Sequence, residues 1–155
     1  MTRPAVHANC LVLGTCGVLI RGGAGCGKSS FCDTLIEAAL AKGNLGRLVA
    51  DDYVHVVPED GRLLASPPDT IRGIMEIRGF GLVDIQYTPR ARIDLIVDLV
   101  PMERLERLPD AAIVTVCLEG VDVPALSCPA NRPDVSLRLV RWALRGLLPD
   151  APDYI

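Results

Sequence analysis

Eight residues, Gly22-Gly23-Ala24-Gly25-Cys26-Gly27-Lys28-Ser29, fit the pattern G-x-x-x-x-G-K-[ST] and follow directly on the apolar run Gly17-Val18-Leu19-Ile20. This pattern constrains the fold because it works only between a strand and a helix. The glycines let the backbone approach a polyphosphate and turn several N–H groups inward, Lys28 supplies a point charge, and Ser29 supplies a hydroxyl suited to magnesium. A plain glycine-rich turn would not require Lys followed by Ser. Downstream, Ser30 to Leu40 carries apolar residues at Phe31, Leu35, Ile36, Ala39 and Leu40, the spacing of an amphipathic helix. Strand, loop and helix in this order predict an α/β P-loop domain with a mixed β-sheet and flanking helices, its loop residues Gly22, Gly23, Ala24, Gly25, Cys26, Gly27, Lys28 and Ser29 binding a nucleotide.

The length of 155 residues suits one domain, spanning residues 1–155, and no linker or repeat interrupts it. Aromatic residues make up only 4% and the net charge is −3, so base-stacking platforms and a basic face are both missing, which argues against nucleic acid as the partner. The apolar segment Cys10 to Ile20 is too short to span a bilayer, and cleavage after it would remove the strand that the loop needs. It reads instead as two buried strands joined by a turn at Gly14 to Gly17. The six cysteines form no C-x-x-C pair and lie near no histidine cluster, so they read as reduced core residues of a cytoplasmic protein. Cys26, inside the loop, is the one thiol whose oxidation would matter.

A second group of functional residues follows the helix. Lys42-Gly43-Asn44 reads as a helix-ending turn and Arg47-Leu48-Val49-Ala50 as a short strand that delivers Asp51-Asp52. Strand alternation would point the side chains of Asp51 and Asp52 in different directions, one toward the metal or its waters and one toward a nucleophile; the same pair would also suit an Asp-rich turn. Tyr53 to Ala65 reads as a hairpin whose tip spans Pro58 to Arg62, ended by Ser66-Pro67-Pro68. In Met75 to Ile85, Glu76 and Arg78 are expected to share a strand face, as site residues or as a surface ion pair.

Four segments together resemble the HPr kinase/phosphorylases, which phosphorylate a serine on the small phosphocarrier protein HPr. They are Val6-His7, Gly22 to Ser29, Leu48-Val49-Ala50-Asp51-Asp52, and Glu76-Ile77-Arg78-Gly79-Phe80-Gly81-Leu82-Val83-Asp84-Ile85. The resemblance is closest over residues 7 to 108. It implies ATP and Mg2+ as cofactors, HPr as protein substrate and a homo-oligomer, hexameric in the family, with no membrane partner. Position by position it implies that Lys28 binds the transferred phosphoryl group, that Ser29 and Glu76 hold the metal, that Asp52 is the base, and that His7 orients the aspartate pair. Taken alone, His7 would pass for a capping or core histidine. A catalytic arginine is also implied, with Arg104 and Arg107 as the two candidates; Arg107 is preferred because Pro109 marks the turn toward the next strand.

The pattern departs from the family in two places. Only Met1 to Arg21 precede the loop, which suits a short form holding the catalytic domain alone, and Val123 to Pro133 lacks the glycine that accompanies dephosphorylation, so a kinase with weak reverse phosphorylase activity is expected. Other classes are a small-molecule P-loop kinase with Arg104 and Arg107 in a lid, a nucleotide-gated binding module, and a GTPase reading guanine through Asn131-Arg132-Pro133-Asp134. The C-terminal stretch Val135 to Leu148 reads as a helix with Arg138, Arg141 and Arg145 on a solvated face.

Overall fold

The computed structural model describes residues 5–155. Two antiparallel strands, β1 (Val6–Leu13) and β2 (Cys16–Arg21), turn tightly at Gly14 and Thr15. Gly14 has φ +60°, and a Cβ there would lie 2.3 Å from the Tyr154 ring, so the turn needs glycine. The glycine loop leads into α1 (Lys28–Ala41), which begins immediately after Gly27, two residues earlier than its apolar spacing predicts. β3 (Gly46–Ala50) returns against β1, and the hairpin of β4 (Tyr53–Glu59) and β5 (Arg62–Ser66) follows. Its tip is shorter than expected, because Pro58 and Glu59 still pair with Leu63 and Arg62 and only Asp60-Gly61, both at positive φ, make the turn.

Met75 to Ile85 departs from the expectation. β6 (Ile74–Ile77) stops before Arg78, the chain turns through Arg78, Gly79 and Phe80, and β7 (Gly81–Asp84) pairs back as a separate two-stranded hairpin. Glu76 and Arg78 therefore share no strand face. The rest of the chain forms β8 (Ala91–Arg92), β9 (Leu95–Val100), β10 (Ile113–Leu118), β11 (Val121–Pro129) and α2 (Pro133–Leu147).

The main sheet is mixed and runs β10-β11-β9-β2-β1-β4-β5-β8, with β3 also against β1. Its centre sets the position of the site. β2, β9 and β11 are parallel, so all three end at one edge of the sheet, the place where ligands gather in open α/β sheets. β1 starts at that same edge, since Ala8 pairs with Arg21, and β3 ends there, since Ala50 pairs with Cys10. The glycine loop, the Asp51-Asp52 pair, His7 and Asn131 are thereby brought to one rim.

Alternation divides the core in two. On β1, β2 and β9 the residues Leu11, Leu13, Val18, Ile20, Leu95, Val97 and Leu99 face α1 and α2, while Ala8, Cys10, Leu19 and Ile96 face the other way. The second cluster contains no helical residue, and it joins Val54 and Leu63 from one side of the sheet to Val123 and Ala125 from the other. The sheet therefore curls over itself to cover that face. In α1 the buried side is Phe31, Cys32, Leu35, Ile36 and Ala39, whereas Leu40 points outward at 48% exposure.

The arginine face of α2 is not simply solvated. Arg141 Nε donates to the Ile155 carbonyl at 3.0 Å, and Arg145 pairs with Asp153 at 2.8 Å and stacks over Trp142, holding Tyr154 and Ile155 in the core. The pairing holds the Asp153 carboxyl below its ordinary range. Among the described residues no helix is long and apolar enough to cross a membrane.

All six cysteines are free thiols, but Cys117 on β10 is exposed rather than part of the core. Burial pushes the Cys10, Cys16 and Cys128 thiols up to about 12 and the Cys32 thiol well above its ordinary value, leaving all four protonated at neutral pH. A maleimide applied to the native protein at about pH 7 is expected to label Cys117 first and to reach Cys10, Cys16, Cys32 and Cys128 only after unfolding. Peptide mass spectrometry reads the order, and early labelling of Cys32 would contradict this packing.

Candidate active site

The glycine loop is shaped by close approach. A Cβ on Gly22 would lie 2.5 Å from Cys26 Sγ and 3.3 Å from Leu99, and Gly27, at φ +86°, would carry its Cβ 2.9 Å from Asn131 Oδ1. Helix α1 then starts with no side-chain cap and no acidic residue in its first turn, so its leading N–H groups and the positive end of its dipole are free for an anion. Lys28 is buried, not displayed on an exposed loop. Its Nζ donates to the carbonyls of Gly22 at 3.0 Å and Gly23 at 3.2 Å, spanning the loop from within.

Asp51 and Asp52 lie just beyond β3 and occupy two environments. The Asp51 carboxylate is 8% exposed and accepts from Ser29 Oγ at 2.6 Å, from Asn9 Nδ2 at 2.6 Å and from the Glu76 backbone N–H at 3.0 Å. Asp52 is exposed and meets His7 Nε2 through Oδ1 at 2.8 Å, with Tyr53 beside the imidazole at a centroid distance of 5.4 Å. Strand alternation is not what separates them: Asp52 sits in a left-handed bend at φ +68°. Its main chain is held there by β1, Ala8 N–H donating to the Asp52 carbonyl and Asp52 N–H donating to Asn9 Oδ1, both at 3.0 Å.

One hydrogen-bonded set therefore joins His7, Asp52, Asn9, Asp51 and Ser29, with Lys28 in the adjoining loop. Glu76 is tied to the set through its backbone while its side chain is exposed. Arg107 and Arg104 are not brought into it. They lie on the segment after β9 and line a cavity of about 560 Å³ together with Leu126, Val114 and Leu139.

Two residues matter more than the sequence suggested. Asn9 was not singled out, although an amide inside the run Ala8-Asn9-Cys10-Leu11-Val12-Leu13 is the signal that could have found it. Asn131 has φ +56°, donates its backbone N–H to the Cys26 carbonyl at 3.0 Å and its side-chain amide to the Gly25 carbonyl at 3.1 Å. Asparagine is one of the few residues other than glycine that adopts this left-handed position readily. Of Asn131-Arg132-Pro133-Asp134, Asn131 braces the glycine loop and Pro133 opens α2.

The HPr Serine kinase C-terminal domain model matches residues 1–141. The HPr kinase/phosphorylase of Limosilactobacillus reuteri (strain DSM 20016) is 35% identical over 140 residues, 83% of this chain and 42% of that protein. The HPr kinase/phosphorylase of Geobacillus thermodenitrificans is 33% identical over 147 residues, 88% of this chain and 45% of that protein. The chain spans less than half the length of these curated relatives. Among solved structures, the Hpr(Ser) kinase/phosphatase from Coxiella burnetii matches with a TM-score of 0.78 at 28% identity, covering 94% of this chain and 99% of that one.

Replacing Asp51 tests the site as a structural unit. Asp51→Ala leaves the buried Asn9 amide and the Glu76 N–H without their acceptor, and is expected to cost about 1–3 kcal/mol of unfolding free energy. Urea denaturation followed by circular dichroism measures it. An unchanged midpoint would mean that these contacts hold nothing together.

Proposed function

The chain belongs to the HPr Serine kinase C-terminal domain family, and from that membership and the linked set His7, Lys28, Ser29, Asp51 and Asp52 we propose that it is an ATP- and Mg2+-dependent protein-serine kinase acting on the phosphocarrier protein HPr. The observation that carries this reading is the unlike pair of neighbouring carboxylates, Asp51 buried against the loop hydroxyl and Asp52 open to solvent against a histidine. A buried carboxylate beside Ser29 suits the nucleotide side of the reaction. A carboxylate whose side chain is 56% exposed suits a serine carried in by another protein.

Each residue then has a separable task. The loop N–H groups and Lys28 bind the nucleotide phosphates, for which Lys28 exchanges the Gly22 and Gly23 carbonyls for phosphate oxygens. The donors on hand for a metal are a hydroxyl and carboxylates from Ser29, Glu76 and Asp51, and among the described residues no cluster of three or more His, Cys, Asp or Glu side chains is preformed. That sparse, all-oxygen set fits magnesium, which keeps several waters and is completed by substrate phosphates. Bound there, magnesium supplies neutralisation of charge on the phosphates. Asp52 accepts the serine proton, and His7, donating from Nε2 to Oδ1, leaves Oδ2 free for that proton.

Arg107 is proposed to act on the incoming substrate from the segment after β9, since it touches none of the other site residues. In reverse, inorganic phosphate takes the phosphoryl group from the seryl phosphate while a protonated Asp52 gives its proton to the leaving serine oxygen, so weak phosphorylase activity is part of the reading. A cytoplasmic homo-oligomer, a hexamer by resemblance, completes it.

Incubation with HPr and labelled ATP, followed by mapping of the label, tests the reading. Label is expected on one serine of HPr, and no transfer to HPr would refute it. Asp52→Asn is expected to lower turnover by about 10²–10⁴-fold while leaving nucleotide affinity in place, because an amide cannot accept the proton. Lys28→Ala is expected to abolish transfer because the phosphates lose the ammonium that neutralises them, with the circular dichroism spectrum retained since the contacts of Nζ are confined to the loop itself. Near-parent turnover by either variant would remove that residue from its role.

A further inference from the structure

We propose that Asn9 is a positioning residue for phosphoryl transfer, its one buried amide holding Asp51 and Asp52 apart in their two orientations. The inference rests on the kinase reading above for its activity readout, and on geometry alone for its placement. Asn9 is fully buried in β1, a poor place for a short polar side chain, and asparagine is among the residues that strands disfavour. An unpaired amide there would cost about 1–3 kcal/mol. None of this is left unpaired: Nδ2 donates to Asp51 Oδ1 at 2.6 Å and lies 3.5 Å from Ser29 Oγ, while Oδ1 accepts the Asp52 N–H at 3.0 Å. A residue that breaks the local rule and spends every hydrogen-bonding atom on two site aspartates and the loop serine is placed for the site, not for the strand.

The effect on Asp52 follows from the order of residues along β1. Three in succession grip it: His7 by its carboxylate, Ala8 N–H by its carbonyl, and Asn9 by its N–H. His7 and Asn9 are two apart and so project on one side of the strand. The left-handed backbone of Asp52, at φ +68°, costs energy for a non-glycine residue and persists only where its surroundings hold it. Asn9 is the sole side chain among the described residues that bonds to that backbone. Without it the bend can relax and carry the carboxylate away from His7. Asp51 depends on Asn9 less, since Ser29 and the Glu76 N–H remain on its oxygens.

The test compares the parent with Asn9→Ala, which removes both contacts, and Asn9→Thr, which suits a strand and offers one hydroxyl in place of the amide. For Asn9→Ala, kcat for transfer to HPr is expected to fall about 10- to 100-fold, while the affinity for the magnesium–ATP complex stays within about threefold, a split expected of a misplaced base and not of a loosened fold. The Thr variant, as the milder change, is expected to fall between Ala and the parent and keeps the question open to measurement if the Ala variant does not fold. A second readout needs no activity. The chain has two histidines, His7 and His55, and the ring signals of His7 in the NMR spectrum are expected to move while those of His55 stay. Folded variants with kcat within about twofold of the parent, or with unmoved His7 signals, would overturn the proposal. If the parent itself transfers nothing to HPr, the kinase reading fails, and the histidine signals still decide whether Asn9 places Asp52.

Discussion

The Asp51 carboxylate is the point on which the rest of this rim depends. A charge at 8% exposure is tolerated only when its oxygens are fully partnered, and here the partners arrive from three different elements: Asn9 from β1, Ser29 from α1, and the Glu76 N–H from the β6–β7 hairpin. That hairpin has no ladder to the main sheet, so the Glu76 N–H is one of the contacts by which it is held against the domain. The carboxylate thus fixes the distance between the glycine loop and the end of β3. A neutral amide at this position would set its own N–H group against these donors, and a smaller apolar side chain would leave them without an acceptor.

Around this anchor the chain adopts left-handed backbone where function is proposed. Asp52 at φ +68° and Asn131 at φ +56° stand beside Gly25 and Gly27 at φ +76° and +86°. Two of these four are not glycine, and each is held from outside: Asp52 by Ala8 and Asn9, Asn131 by the Cys26 and Gly25 carbonyls that it bonds. In both cases the bond that secures the bend also ties two parts of the rim together. Backbone strain and site assembly are therefore one feature here, which explains why a short polar residue with access to the left-handed region stands at each bend.

The residues named from the sequence were those whose chemistry is local. A glycine loop between strand and helix, or two aspartates after an apolar run, is legible within ten residues because its parts are neighbours in the chain. His7 and Glu76 needed the family resemblance, since only the tertiary fold brings them to Asp52 and Asp51, from 45 and 25 residues away. Strands β9 to β11 are not legible locally: Leu95 to Val100 is a short apolar run closed by Pro101, and the parallel pairing that makes it central is wholly non-local. Asn9 escaped for the converse reason, a single amide among apolar residues with no motif around it. The placement of Glu76 and Arg78 on one face failed because Gly79, at φ +85°, turns the chain one residue after Arg78.

The exposure of the Asp52–His7 pair bears on which kind of acceptor it serves. A base that works on a small hydroxyl compound gains from a closed pocket, which excludes water and orients the acceptor on several sides. Here the His7 and Asp52 side chains are 39% and 56% exposed, and the large apolar side chains Phe80 and Leu82 stand out from the neighbouring hairpin at 81% and 74%. In the proposed reaction a protein substrate would supply the missing wall itself, covering the carboxylate and excluding water only with its serine in place. On that proposal the open geometry would become part of the specificity, because the low-dielectric surroundings that favour proton acceptance by Asp52 would form only in the docked complex.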